Sequence, residues 1–219
     1  MAQIFPPRAN VIAKLVLLAI PTLPLFAWWG VGYKVMQSPY TTRQDVYVDQ
    51  PVPFSHEHHV GGLGLDCRYC HTSVTKSDFA GLPPTHTCMT CHSQLWTQAP
   101  MLAPVRESLA QDRPIHWQRV NTLPDFVYFD HHVHVANGVG CTTCHGDVGR
   151  MPLMRQAAPL TMGWCLSCHR DPAPNLRPQD AIFDPWWQPP PDQDARGKEL
   201  LKQYHIDVDH LTDCSVCHR

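Results

Sequence analysis

The chain has 219 residues, enough for one domain or two small ones, and its formal net charge of −2 gives no basic surface for nucleic acid. Ten Cys, fifteen His and twenty-two Pro are the abnormal counts. Proline lacks an N–H and fixes φ, so so many prolines exclude long soluble helices and central strands, and a fold with so little regular structure needs staples.

In chain order, the first predicted element is a span. Leu15 to Tyr33 contains no charged residue and ends in Trp28, Trp29 and Tyr33. At about 1.5 Å per residue it reaches about 29 Å, close to a hydrocarbon core, with aromatic side chains at one interface. Pro21 and Pro24 fall inside it, and lipid-embedded helices tolerate proline. The apolar run exceeds that of an ordinary signal peptide, and no small-x-small cleavage site follows it. Residues 1–37 are therefore expected to be an uncleaved signal anchor, and 38–219 an external domain. Arg8 and Lys14 before the span balance Lys34 and Arg43 after it. Orientation then rests on the cysteine chemistry below, which belongs outside the cytoplasmic membrane and puts the N-terminus inside.

Residues 37–53, with Pro39, Pro51 and Pro53, read as an extended leader. After it the cysteines fall into five pairs with none left over: Cys67/Cys70, Cys88/Cys91, Cys141/Cys144, Cys165/Cys168 and Cys214/Cys217. Each pair encloses two residues, and each second Cys is followed by His: His71, His92, His145, His169 and His218. This is the attachment signature of c-type haem, two thioethers and a proximal imidazole. Disulfides would not need one spacing and one trailing His five times. Zinc knuckles would come in twos, and a thioredoxin-like motif once on a βαβ unit. Five covalent haems are the predicted cofactors, and a mainly irregular fold with short α-helices around them, plus the one transmembrane helix and little or no sheet, is the predicted class.

Residues 54–92 and 129–169 form an internal repeat, each a dihaem unit. Both open on Phe-x-His-x-x-His, at Phe54-Ser55-His56-Glu57-His58-His59 and Phe129-Asp130-His131-His132-Val133-His134. On one helical turn, positions i and i+3 diverge enough to serve two haems. Low-spin electron-transfer haem needs a second axial His or Met, so His56, His59, His131 and His134 are the expected distal ligands. His58 and His132 are expected to face solvent or support the ligands, and His86, His116, His205 and His210 to be surface or packing residues. The fifth distal ligand is expected to be a Met from Met151, Met154 and Met162. Of the remaining stretches, linker 93–128 should hold a short helix, Ala103 to Ala110. The proline-rich arm 170–193, with Trp186 and Trp187, should be poorly ordered alone and so lie against this domain or a partner. The C-terminal haem unit 194–219 should begin with a helix, Asp194 to Tyr204.

No catalytic triad, P-loop or dinucleotide fingerprint occurs. A haem with both axial positions filled exchanges only electrons, so the chain reads as a short wire without a catalytic site of its own. The alternatives are a multihaem reductase with one open-coordination haem, distinguished by a high-spin, CO-binding iron, and a freestanding membrane-anchored quinol dehydrogenase.

The order of these motifs, with strings such as PVPFSHEHH, LAPVRES, LPDFVYF, MPLM and LTMGWCLSCHR, resembles the pentahaem cytochrome c subunit of bacterial alternative complex III over residues 38–219. Its dihaem units resemble the wider class III cytochromes less closely. The resemblance implies an electron-transfer subunit of a membrane quinol oxidoreductase in the inner membrane, fed by an iron–sulfur subunit and accompanied by polytopic membrane subunits that hold the quinol site. It implies a periplasmic cytochrome, copper protein or terminal oxidase as acceptor. By the same likeness His56, His59, His131 and His134 match distal positions.

Overall fold

The computed structural model describes residues 6–219; the first five residues of the expected anchor lie outside the described ones. The chain divides into two units, one ending at Arg43 and one running from Gln44 to Arg219.

The first unit is helix α1 (Pro7–Gln37) followed by the single turn α2 (Pro39–Thr42). Pro7 opens α1 where a missing N–H costs nothing, and Pro39 starts α2 in the same way. Pro21 and Pro24 are accommodated inside α1, and the Thr22 hydroxyl donates back to the Leu18 carbonyl at 2.8 Å. The helix is apolar on every side: Leu17, Phe26, Trp28 and Trp29 are all exposed. It is long and apolar enough to cross a membrane, from Arg8 to Gln37.

The second unit is helical and irregular. Its helices are α3 (Cys67–Cys70), α4 (Thr85–His92), α5 (Ala103–Gln111), α6 (His131–Ala136), α7 (Cys141–His145), α8 (Met162–Arg170), α9 (Gln193–Gln203) and α10 (Cys214–Cys217), with one π-helical turn at Glu57–Gly62. Helices α5 and α9 fall within a residue or two of the stretches expected from the sequence. Among the described residues the β-structure is three isolated bridges, Gln44 with Gln156, Tyr47 with Arg155, and Val139 with Leu176. The leader is thus paired rather than free: the Asp45 N–H donates to the Gln156 carbonyl at 2.8 Å.

The apolar core is thin. Among the described residues nine hydrophobic side chains are buried, Leu176 and Ile182 most deeply at 1% exposure each. So small a core leaves most of the stability of such a chain to cross-links. Both of those residues lie in the proline-rich arm, which packs against this domain and joins its parts. The Cys141 N–H donates to the Ile182 carbonyl at 3.3 Å, Arg68 lies 4.5 Å over the Phe183 ring, and Trp186 reaches Arg150. Helix α9 covers the arm's first turn, with the Gln193 amide donating to the Ala173 and Leu176 carbonyls.

Candidate functional site

Each Cys-x-x-Cys-His motif lies on one turn of helix: α3, α4, α7, α8 and α10. The spacing i, i+3, i+4 puts two thiols and an imidazole on one face. Asp66 caps α3 by accepting the Arg68 N–H, and Thr161 caps α8 by accepting the Trp164 N–H. No disulfide joins any of the ten cysteines.

The expected distal histidines meet the motif histidines in pairs. Ring centroids of His59 and His92 are 6.2 Å apart, those of His131 and His145 6.3 Å, and those of His134 and His169 6.1 Å. His56 has His71 as its strongest imidazole neighbour. A metal ion bound to two imidazoles at about 2.0 Å from each nitrogen sets their centroids about 6.2 Å apart. The residues i and i+3 of each His-x-x-His therefore address two different motifs. Phe54 stacks on His59 and Phe129 on His134, at 4.4 and 4.5 Å, which orients the second His of each pair identically.

The other ring nitrogen tells the same story. Nδ1 of His59 donates to the Ser55 carbonyl, His71 to Gly81, His92 to Leu95, His131 to Asp78, His134 to Asp130, His169 to Leu211 and His218 to Phe126, all between 2.7 and 3.2 Å. A carbonyl only accepts, so each Nδ1 carries the proton and each Nε2 keeps its lone pair. That tautomer is the one metal-binding imidazoles are held in. Gly81 sits at φ +83°, a conformation that glycine adopts without strain, and so turns its carbonyl onto His71. His56 and His145 lack such a tether although each has another imidazole as a neighbour, and so do the rest. His58, His86, His116, His132 and His205 have no ring hydrogen bond among the described contacts, and His210 pairs with the Asp213 carboxylate at 3.0 Å.

Burial and neighbouring imidazoles push His56 and His145 down to about 4, and burial likewise lowers His59 and His134. All four stay neutral, the form that ligates. Nδ1 of His56 is buried with no partner. Among the thiols, contact with Cys67 and burial hold Cys141 high, and burial pushes Cys144 up to about 12.

The sulfurs also give an order that the sequence does not. Cys70 neighbours Cys88, Cys67 touches Cys141, Cys144 neighbours Cys165 and Cys168, and Cys165 neighbours Cys217. The motifs thus run second, first, third, fourth, fifth, with Cys91 and Cys214 exposed at the two ends.

His218 faces no other imidazole; its ring neighbour is Phe126 at 5.8 Å. Of the three Met candidates, Met151 is 3% exposed beside the Glu57–Gly62 turn, its carbonyl accepting the Glu57 N–H. Met154 is half-buried. Met162 is 67% exposed on the first turn of α8, the helix whose Cys165 neighbours Cys217.

The repeat is interlocked. Both the N–H and Nδ1 of His131, in the second unit, bond to the Asp78 carbonyl of the first, and the His132 N–H reaches Ser77. The Tyr128 N–H likewise donates to the Cys217 carbonyl.

Paired thiols, motif imidazoles and gapped partner rings fit an iron porphyrin at the second, third and fourth motifs. No cluster of three or more His, Cys, Asp or Glu side chains suited to a bare metal ion occurs among the described residues. No family model matches the chain. The chain is 33% identical over 122 residues to the menaquinone reductase multihaem cytochrome c subunit of Nitratidesulfovibrio vulgaris, an alignment covering 55% of this chain and 53% of that protein. It spans about half the length of this curated relative. Over about half of its own length, this chain is homologous to a multihaem cytochrome c subunit.

Proposed function

We propose that this protein is the pentahaem electron-transfer subunit of a membrane quinol:electron-acceptor oxidoreductase, of the alternative complex III type. The observation that carries the reading is the set of imidazole pairs held 6.1–6.3 Å apart, each joining a repeat histidine to a Cys-x-x-Cys-His motif. Each haem, when bound, supplies reversible one-electron Fe(III)/Fe(II) chemistry.

The protein's own residues do the rest. Cys67, Cys70, Cys88, Cys91, Cys141, Cys144, Cys165, Cys168, Cys214 and Cys217 provide the thioethers. His71, His92, His145, His169 and His218 are the proximal ligands. His56, His59, His131 and His134 are distal to the first, second, third and fourth motifs in that order. Met162 is the distal candidate for the fifth, since its helix carries the sulfur next to Cys217. Four iron sites closed by two imidazoles and a fifth closed by a thioether would leave no open position for substrate, and this ligand set supports electron relay. The motif order supports a wire whose ends are the second and fifth sites.

Helix α1 is the membrane anchor in this reading, with its N-terminus inside and the haem domain on the periplasmic side. Iron–sulfur and polytopic subunits are its partners within the complex, and a periplasmic cytochrome or copper protein its acceptor. The relative named as a menaquinone reductase subunit favours a second reading, in which the same wire runs towards quinone. Purification from membranes with haem-stained gels tests the proposal. An iron–sulfur protein and polytopic subunits should co-purify, and the complex should reduce a soluble cytochrome with quinol. Quinone reduction instead would favour the second reading, and a colourless chain would end both.

A further inference from the structure

Arg177 is a buried cation with no ion-pair partner among the described residues. It is 4% exposed, yet it lies in the proline-rich arm, where the sequence gives no reason to expect a buried charge. Its backbone is clamped on both sides: the N–H donates to the Gly138 carbonyl at 2.8 Å, and its own carbonyl accepts the Tyr204 hydroxyl at 2.8 Å. Its guanidinium lies against Gly140, the residue before Cys141, where a Cβ would come within 2.4 Å of Cζ. Trp187 covers the other face at 4.4 Å from the ring centroid.

Every polar contact of that guanidinium is with a neutral group. Nη2 donates to the hydroxyls of Thr142 and Thr143, the two residues between Cys141 and Cys144, and Nη1 to the Asp184 carbonyl at 3.4 Å. Nε is buried with no partner at all. No carboxylate comes within ion-pair distance among the described residues; the Asp184 carboxylate instead accepts the Trp186 N–H. That carboxylate is the guanidinium's nearest acid, and the Cys141 and Cys144 sulfurs lie beside it as well. Thioether formation would leave those sulfurs unable to ionise, so only the Asp184 carboxylate, beyond ion-pair distance, would offset the positive charge, and only in part.

We propose that Arg177 is a positioning residue that raises the redox potential of the haem attached at Cys141 and Cys144, making it the first of the four bis-imidazole sites to be reduced. The proposal rests on the haem reading above. The physical reason is charge alone. One electron arriving from an external donor converts Fe(III) to Fe(II) with no bond made or broken. The site becomes one unit less positive, and a fixed cation nearby favours that change. In the order of motifs this site is the middle one, so the wire would have its electron reservoir at the centre.

The test uses the purified full chain with its haems, titrated with dithionite and followed by optical and EPR spectroscopy. Arg177→Gln should shift one haem only, lowering its ferrous-to-ferric ratio at a fixed potential at least tenfold, equivalent to about 59 mV. Arg177→Lys keeps the charge and should keep most of the potential. Equal shifts in both variants, or five unchanged midpoints in Arg177→Gln, would overturn the proposal while leaving the pentahaem reading intact. If Arg177→Gln does not fold, the unsubstituted protein decides. The EPR signal of the near-parallel His131–His145 pair should vanish at the highest potential of the bis-imidazole signals; loss at a lower one overturns the proposal. A chain with no haem on Cys141 and Cys144 would sink the proposed function as well.

Discussion

His131 and His145 face each other with ring planes 4° apart, whereas His59 and His92 are crossed at 69°. Two axial imidazoles in parallel planes split the iron d-orbitals rhombically, and crossed planes leave them nearly degenerate. The oxidised protein should therefore give at least two ferric low-spin EPR signals, one rhombic and one highly anisotropic. His59→Met should remove the second and leave the first. A single signal type for all bis-imidazole haems would contradict these ring orientations.

On the His131–His134 turn the carbonyl tethers predict which histidines matter. His134→Ala should leave the iron at His169 with one axial ligand, giving one high-spin, CO-binding haem in five. His132→Ala, two residues away but untethered, should leave the optical spectrum unchanged. Carbon monoxide difference spectra of the two variants make the comparison.

Met162→Leu should abolish the far-red charge-transfer band of a His–Met ferric haem and lower the potential of one site. Met151→Leu should keep the band, because that side chain packs in the core; a swap of similar volume costs less than about 1.5 kcal/mol. Retention of the band in Met162→Leu would assign the fifth ligand elsewhere.

Gly197 sits where α9 crosses the turn at Ala173–Asn175, and a Cβ there would lie 2.0 Å from the Ala173 carbonyl oxygen. Backbone has to shift to admit it. Gly197→Ala should destabilise the haem-loaded protein by about 1–3 kcal/mol, as overpacked sites do. At about 2–4 °C per kcal/mol for this size, thermal melting followed by circular dichroism would resolve the loss. The spectra at room temperature should not change.

What could be read from the residues was the local part. A His-x-x-His on one turn and a Cys-x-x-Cys-His on another are complete statements within a few residues, and helices α5 and α9 follow from short apolar patterns, the one proline, Pro104, falling in the first turn of α5 where it is tolerated. The pairing of His131 with His145 rather than another ring depends on how distant turns meet, and spacing says nothing about that. The π-helical turn at Glu57–Gly62 was also illegible, because its i→i+5 bond from the Leu63 N–H to His58 leaves no residue pattern. The arm was legible in outline only. Its two tryptophans point to a strap laid against this domain or a partner, but nothing in its seven prolines marks Leu176, Arg177 and Ile182 as some of the most buried residues present. Proline forbids regular hydrogen bonding without forbidding burial, so its density marks an absence of helix and strand only.

The grip of Asp78 on His131 undoes the modularity that the repeat advertises. Read along the chain, the connector at 93–128 is the natural place to split the protein into two autonomous halves. In three dimensions the later half borrows its ring anchor from the earlier one. A fragment beginning after the connector would carry the right cysteines and the right histidines with one iron site unbraced. The earlier half leans on the later one in turn, through the Glu57 N–H on the Met151 carbonyl and Arg68 over Phe183, so neither half should set without the other.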